Sequence, residues 1–149
     1  NSNNGAAGGA GLTLAKALTV YEAFGSGDIP DDGQRYFVVS SAGWADLLQI
    51  DQFSRAEYVG ENDLPYAGGL TAKRWLGFMW FTHSGLTLSG SNRDCHAYHK
   101  SAVGLAMGSD IRTEVNYIPE KVSNLITSYM SMGAVEIDGE GMIQCIIQE

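Results

Sequence analysis

The last third of the chain, residues 111–149, constrains the fold most because its pattern is typical of β-structure. Ser, Thr, Tyr, Val and Ile dominate it, and these residue types favour strands over helices. An Asp-Gly pair at positions 138 and 139 stands between two apolar runs, which is a strong hairpin signal. The pattern predicts one long strand over residues 111–137, a tight turn at 138–141 and a returning strand over 142–149.

A short helix is the alternative for the middle of this strand. Six residues there fall at helical spacing: Val122, Leu125, Ile126, Tyr129, Met130 and Gly133. Interleaved Ser and Thr, a scarcity of strong helix formers and a glycine that would interrupt the helix all favour the strand. We therefore predict a strand.

Composition limits the classes of partner. The chain has 149 residues, which suits one domain with a real core. Charged residues make up 17%, below the ~25% typical of soluble domains, so we expect much of the surface to face other protein. The net charge is −8 with no basic run, which argues against tight, phosphate-based nucleic-acid binding. An acidic body is compatible with a wall that encloses nucleic acid without gripping it.

Cysteine usage and hydropathy add little. Cys95 and Cys145 form no motif, and a reduced cytosolic origin is the default. No apolar run approaches the ~20 residues of a membrane span, and no signal peptide stands at the start. Because the first residue is Asn, we expect a fragment or a processed product.

The first part of the chain predicts a lead-in, a helix and a loop. Residues 1–11 contain only Asn, Ser, Gly and Ala, so a flexible lead-in is expected. Residues 12–24 carry an apolar face at helical spacing, with Thr13 as N-cap. Residues 25–33 are rich in turn residues, and their aspartates lack the alternating ligand spacing of a calcium loop.

A strand and two helical segments are predicted next. Residues 35–40 read as a buried strand. Ser40 or Ser41 is expected to cap a helix over residues 42–50, with Trp44, Leu47 and Leu48 inward. Residues 52–59 add a helical turn or two, which Phe53 and Tyr58 are expected to fix to the core.

The interior loops and strands complete the layout. Residues 60–69 form a long irregular loop of the kind that makes contacts. The segments that follow are a strand, a loop, a strand, a short apolar segment and a turn: residues 77–83, 84–93, 94–99, 100–107 and 108–110. This order predicts an α+β fold with a mostly antiparallel sheet.

One cluster of candidate metal ligands is present. Its members are His83, Cys95, His96 and His99, residue types that bind zinc. In a strand His96 and His99 would point to opposite faces, and no paired Cys or His spacing accompanies them. Satisfied strand residues are therefore the better interpretation, with a small metal-dependent or Cys/His enzyme as the weaker alternative.

Other catalytic signatures are absent from the sequence. It holds no Gly-x-Ser-x-Gly elbow, phosphate loop or dinucleotide fingerprint. The aromatic residues at 75, 78, 80 and 81 favour core or interface packing over a base- or sugar-stacking platform. We predict no enzyme activity, catalytic residue, metal or cofactor. A long two-faced strand instead invites partner strands.

Several segments resemble the major capsid proteins of tailed bacteriophages. Arg74-Trp75-Leu76-Gly77-Phe78 is similar to a strand start of that family. Tyr-His-Lys-Ser-Ala-Val-Gly-Leu-Ala, at residues 98–106, resembles another of its motifs. Further similar segments stand in the same order along the chain: residues 33–48, 53–60, 110–117 and 132–135.

The resemblance implies the shell fold shared by tailed-phage and herpesvirus capsid proteins. It implies an axial domain, a mixed sheet flanked by helices, from residues 12–110 and 142–149. Residues 111–141 would form the long antiparallel β-ribbon of the peripheral domain. The sequence departs from the family in lacking the N-terminal arm, the extended loop and the spine helix. The loop that carries a cross-linking Lys in some relatives is absent too, so no cross-linking residue is assigned.

The function implied is that of a structural subunit of an icosahedral phage or prophage head. Copies would form pentamers and hexamers around double-stranded DNA, with a scaffolding protein and a head protease as further partners and no membrane. The subunit would be made in the bacterial cytoplasm and end in the virion capsid. The expected contact residues lie in polar loops: Glu61, Asp63, Tyr66 and Arg93. An encapsulin-like compartment shell is the alternative with the same fold.

Overall fold

A computed structural model describes residues 3–6, 9–55 and 72–149 of the chain. The helices in these residues are α1 (Leu14–Ser26), α2 (Ser41–Leu48) and α3 (Asp51–Ser54). The strands are β1 (Asn3–Ala6), β2 (Arg35–Val39), β3 (Ala72–Trp75), β4 (Phe78–Thr82), β5 (Leu88–Ser89), β6 (Asn92–His99), β7 (Val103–Ile118), β8 (Ser123–Glu136) and β9 (Met142–Gln148). Two short 3-10 turns, Lys100–Ala102 and Pro119–Lys121, precede and follow β7.

The strands form two separate sheets. The main sheet has seven strands in the order β1-β9-β6-β2-β4-β3, with β5 paired to β6. It is mixed, since β2 runs parallel to β4 and antiparallel to β6. The second sheet is a two-stranded antiparallel ribbon of β7 and β8. This architecture confirms the predicted α+β fold, a mixed sheet with helices plus a long β-ribbon.

The hydrophobic core lies on one face of the main sheet. Alternate residues of β2 and β4 are buried there, and Phe37 stacks on its cross-strand neighbour Trp80 with ring centroids 4.0 Å apart. α1 packs onto this layer through Phe24, which meets Phe78 edge to face at 5.1 Å. Because side chains alternate along a strand, the strands can bury one face under helices while the other face stays half-exposed.

Two buried cations are accommodated at the edges of this core. The Arg35 guanidinium donates to the carbonyls of Ile29 and Pro30 and lies 5.6 Å from the Phe24 ring centroid. The Lys73 ammonium donates to the Phe53 carbonyl. Hydrogen bonds of this kind offset the cost of removing a charge from water.

The helix starts agree with the sequence prediction. Thr13 caps α1 by accepting from the backbone N–H of Lys16, and Ser40 caps α2 by accepting from that of Gly43. α3 is a single turn with Phe53 buried, as predicted. Tyr58 and the predicted contact loop over residues 60–69 lie outside the described residues.

The ribbon differs most from the prediction. A single strand over residues 111–137 is wrong, because the chain turns back at Pro119–Lys121 and β7 pairs with β8. Proline cannot donate to a ladder, and Val122 takes a left-handed conformation with φ 48°. The short-helix alternative is also wrong, since its residues lie in β8 or just before it. The predicted turn at 108–110 lies inside β7, where the pairing shifts register.

The Asp-Gly turn at 138–141 joins the two sheets and does not close a hairpin. β9 leaves it to pair antiparallel with β6 in the main sheet. The reason is burial: Ile143, Cys145 and Ile147 alternate along β9 and all face the core. Burying these side chains under the helices stabilises the chain more than pairing along an exposed ribbon would.

Three short strands were not predicted from the sequence. β1 lies within the predicted flexible lead-in and pairs parallel with β9. β5 lies within the predicted loop over residues 84–93 and forms a short hairpin with β6. The segment before β4 contains β3, which turns at Leu76 and Gly77 and pairs antiparallel with β4. Strand pairing uses backbone groups, so these residues pair without a recognisable side-chain pattern.

The two cysteines become neighbours in the main sheet. Cys95 on β6 lies directly opposite Cys145 on β9, and both are free and buried. Burial raises the pKa of the Cys95 thiol to about 12 and that of Cys145 to about 11. A raised pKa keeps a thiol in its unreactive protonated form, so these cysteines act as small core residues.

We expect a substitution in the core to lower the free energy of unfolding much more than one in the ribbon. Trp80→Ala should lower the free energy of unfolding by ~3–5 kcal/mol, because it removes the stack on Phe37 and leaves a cavity. Ile126→Ala, at an exposed ribbon position, should change it by less than ~0.5 kcal/mol. Urea denaturation of both variants measures the difference, and equal effects would contradict this account of the core.

Candidate subunit-contact surface

The β-ribbon is an extended surface of the described residues that the protein leaves uncovered. Every residue of β8 is exposed, and so is most of β7. The two strands pair from Val103 opposite Glu136 to Ile118 opposite Ser123. Neither strand pairs with the main sheet. A two-stranded ribbon has no core of its own and is only marginally stable alone.

The pairing sorts the ribbon into two faces. Directly opposed residues share a face, and successive residues alternate. β7 contains two register shifts, one between Met107 and Ser109 and one between Ser109 and Arg112. Each shift adds one residue to β7, so the two together restore the alternation. The odd-numbered residues of β7 therefore lie on the same face of the ribbon before and after the two shifts.

One face carries seven large, exposed apolar side chains, interrupted by the hydrogen-bonded pair Thr113 and Ser128, and we call it the apolar ribbon face. The apolar side chains are Leu105, Met107, Val115, Tyr117, Ile126, Met130 and Met132. Each of these side chains is between 49% and 67% exposed. Soluble monomers rarely expose an apolar surface of this extent, and such surfaces mark contacts with other protein.

The opposite face is mixed, since it carries polar residues together with the exposed Leu125 and Val135. Arg112 and Glu114 on β7 lie opposite Tyr129 and Thr127 on β8. The Tyr129 hydroxyl donates to the Glu114 carboxylate at 3.1 Å. This pairing of polar groups within one chain leaves the apolar ribbon face as the surface that gains most from a partner.

Arg93 is the one predicted contact residue that the described part of the chain includes. Its guanidinium makes a two-point contact with the Glu149 carboxylate, at 2.9 Å from Nη2 and 3.2 Å from Nε. Its Nη1 donates to the Leu86 carbonyl at 2.9 Å. Arg93 thus joins the start of β6 to the end of β9. Glu61, Asp63 and Tyr66 lie outside the described residues.

This ion pair shifts the titration of both partners. The hydrogen bond from Arg93 is the main reason that the pKa of Glu149 lies below its ordinary value, with a second contribution from Ser40. The same bond raises the pKa of Arg93. A carboxyl group of this kind stabilises the fold above its ordinary pKa, and that contribution is lost as the pH falls through its lowered value.

The structure separates the four candidate zinc ligands. Cys95 and His99 face the core side of β6, His96 faces the other side, and His83 lies exposed beyond β4, accepting from the Gly85 N–H. Among the described residues, no group of three or more His, Cys, Asp or Glu side chains lies close enough together to hold a metal ion. No described helix is both long and apolar enough to cross a membrane.

Sequence reasoning missed the apolar ribbon face, although a signal for it was present. Apolar residues alternate at 105 and 107 and again at 115 and 117, which is the period of a strand. Pro119 marks the turn between them and β8. The register shifts in β7 depend on how the two strands meet, so no local pattern reveals that the two ends share one face.

Comparison with known proteins adds a family to this geometry. A sequence model of the family described as phage capsid protein matches residues 1–149. Among curated proteins, no sequence match was found.

Three solved structures are similar to the chain. The chain is similar to a protein of Mycobacterium phage Che8, with 15% identity and a TM-score of 0.76 over 97% of this chain. It is similar to the capsid of cyanophage P-SCSP1u, with 17% identity and a TM-score of 0.68 over 100% of this chain. It is also similar to a virus-like particle from Pyrococcus furiosus, with 10% identity and a TM-score of 0.54 over 97% of this chain.

The chain spans about half the length of these solved structures, covering 53%, 52% and 56% of them respectively. At these identities the similarity shows the fold. It places the mixed sheet, the helices and the β-hairpin of this chain in the architecture of phage capsid proteins.

The Arg93 contact predicts a measurable change in Glu149. Arg93→Ala should raise the pKa of Glu149 towards its ordinary value of 4.5, with the Ser40 contact retaining part of the lowering. Titration of the side-chain carboxyl by NMR measures this pKa. Arg112→Ala, which removes a ribbon cation, is the matched control and should leave it unchanged. A Glu149 pKa that is equally low without Arg93 would contradict the assignment.

Proposed function

The chain belongs to the phage capsid protein family, and from that premise we propose that it is a subunit of an icosahedral head whose copies form pentamers and hexamers around double-stranded DNA. As a capsid protein it is a structural component of a virion. The observation that carries the finer proposal is the apolar ribbon face, an uncovered surface that another protein must cover.

A ribbon of this shape suits repeated contacts between copies. One copy presents the apolar ribbon face, and a neighbour covers it with a different surface, which makes the contact heterologous. Heterologous contacts close into rings when the rotation between copies allows it. Rings of five and six are the arrangement an icosahedral head requires of one repeated subunit.

We propose the domain assignment on the same basis. The main sheet with its helices, residues 12–110 and 142–149 in the sequence interpretation, corresponds to the axial domain. The ribbon, for which that interpretation gave residues 111–141, corresponds to part of the peripheral domain. The ribbon strands begin at Val103 and end at Glu136, so the ribbon's pairing starts before the proposed boundary.

The remaining contact residues stay proposals. We propose that Glu61, Asp63, Tyr66 and Arg93 contact neighbouring copies within a ring. The guanidinium of Arg93 is engaged with Glu149, so any contact with a neighbour would use the Arg93–Glu149 pair as a unit.

The other partners follow from the function. We propose that a scaffolding protein and a head protease act on the assembling subunit in the host cytoplasm. The net charge of −8 supports a wall that encloses DNA without tight phosphate contacts. An encapsulin-like compartment shell would use the same fold and the same ribbon. Nuclease treatment of purified particles distinguishes the two, since a head would protect DNA and a compartment would hold protein.

A charge on the apolar ribbon face should prevent assembly. Ile126→Lys in the assembling protein should abolish shells, because a lysine cannot be buried unpaired in a contact between copies. Electron microscopy and sedimentation measure assembly, and urea denaturation should show a nearly unchanged free energy of unfolding. Leu18→Lys is the matched control, since Leu18 is also an exposed apolar residue but lies on α1. Normal shells from Ile126→Lys would contradict the proposal.

A charge swap tests Arg93 separately from folding. Arg93→Glu alone breaks the pair with Glu149, whereas Arg93→Glu combined with Glu149→Arg restores it with the charges exchanged. If Arg93 contacts a neighbour, the double variant should fold normally and still assemble poorly by electron microscopy. Normal shells from the folded double variant would exclude Arg93 from the contact.

A further inference from the structure

The ribbon joins the body at two places, the 3-10 turn Lys100–Ala102 before β7 and the turn at 138–141 before β9. The 3-10 turn leads directly into β7. The carbonyl of Ala102 also accepts from the N–H groups of Ile137, at 2.8 Å, and Asp138, at 3.4 Å. The turn therefore holds the start of β7 and the chain that leaves β8. Its conformation sets how the ribbon root is attached to the main sheet.

The side chain of His99, the last residue of β6, caps this turn. Its Nδ1 lies 2.7 Å from the Ser101 Oγ and 3.3 Å from the Ser101 backbone N, which donates to it. Its Nε2 lies 3.1 Å from Oδ1 of Asp32. A carboxylate accepts and a backbone N–H donates, so these partners are satisfied by an imidazole with its proton on Nε2 and a bare Nδ1.

Asp32 ties the same turn to the loop before β2. Its Oδ1 also accepts from the backbone N–H of Gln34 at 2.9 Å, and the Gln34 carbonyl accepts from the Lys100 N–H at 3.1 Å. The hydrogen bond from His99 is the main cause that lowers the pKa of Asp32, followed by that from Gln34. Asp32 is thus an ionised acceptor for His99 at neutral pH.

Adding a proton to His99 strengthens its contact with Asp32 but removes the acceptor for the Ser101 backbone N–H. Both ring nitrogens of a charged imidazole donate. The bond to Asp32 then becomes an ion pair, and Nδ1 can donate to the Ser101 hydroxyl oxygen. The backbone N–H of Ser101 loses its acceptor and faces another N–H. Ser101 is exposed, so water can replace this acceptor, and the turn is weakened by the modest contribution of one protein hydrogen bond.

Some charged groups on the neighbouring elements favour a positive charge on His99, and others oppose it. Arg35 on β2 lies directly opposite His99 on the same face, so its charge opposes a positive charge on His99. Asp31 pairs with Arg35 at 4.0 Å and reduces this effect. Asp32 favours the charged imidazole. The turn before β9 contributes the neutral Gly141 carbonyl, which accepts from the His99 N–H, and its titratable residues are Asp138 and Glu140. On the 3-10 turn itself, the neighbouring cation is Lys100, which is exposed.

We propose that Asp32, His99 and Ser101 form a proton-sensitive latch that positions the ribbon on the body. With a neutral His99 the latch is closed and the ribbon root is fixed. With a charged His99 the Ser101 cap opens and the root loosens. The latch acts within one chain, so it extends the proposed function without depending on shell formation.

Hydrogen exchange of the unassembled chain tests the latch. The amides of Ile137 and Asp138 report on the ribbon root, because both donate to Ala102. When the buffer is changed from neutral to mildly acidic, their protection should fall about three- to ten-fold after correction for intrinsic exchange. The amide of Phe37, in the core strand β2, should keep its protection. Constant protection at the root would overturn the proposal.

Two histidine variants assign the effect to His99. His99→Asn places an oxygen where Nδ1 stands, so Ser101 keeps an acceptor and no proton can be taken up. Root protection in this variant should be independent of pH. His96→Asn is the matched control, since His96 is on the same strand but the opposite face, and it should keep the wild-type response. A response that survives His99→Asn, or that disappears in His96→Asn, would overturn the assignment.

Asp32→Asn provides a second test that does not alter the buried histidine. Its amide oxygen can still accept from Nε2, but the negative charge that favours the protonated imidazole is gone. The pH at which the root loosens should therefore move to a lower value. An unchanged midpoint would show that Asp32 does not belong to the latch, and this result can be read even if His99→Asn fails to fold.

Discussion

A two-stranded ribbon cannot bury its own apolar side chains, and this constraint explains most of the molecule. In the main sheet, helices cover one face, so alternate residues such as Phe37 and Trp80 are fully buried. No helix in the described part of the chain covers the ribbon, yet it carries large side chains such as Val115 and Ile126 at exposed positions. Burying them requires a surface that the described part of this chain does not provide, which is the property expected of a shell subunit.

The body and the ribbon are stabilised by different interactions. The body depends on aromatic packing and on satisfied buried cations, such as Arg35 beside Phe24. The ribbon depends on its backbone ladder and a few exposed polar contacts, such as that of Tyr129 with Glu114. The polar residues at the root then connect a rigid element to a marginal one, so a change of one proton there can affect the ribbon while leaving the core intact.

Local patterns predicted much of the body and little of the ribbon's geometry. Thr13 and Ser40 marked the helix starts, because a cap depends on residues within one turn. The strand over β2 and the α+β class followed from composition. The ribbon was expected, but its turn was placed at the Asp-Gly pair and not at Pro119. The chain turns at both places, and only the burial of β9 in the main sheet determined that the turn at Pro119 is the one that closes the ribbon. The loop residues Glu61, Asp63 and Tyr66 stay predictions.

By itself, the sequence determined the helices and the central strands of the body, the absence of a clustered basic run and the resemblance to capsid proteins, because each of these depends on residue type and short spacing. Only the tertiary structure decided that β9 joins β6, that two register shifts in β7 keep Leu105 and Val115 on the same ribbon face, and that Asp32 meets His99. These features join residues far apart in the chain, and the free energy that selects them comes from burial and pairing that exist only when the whole domain has folded.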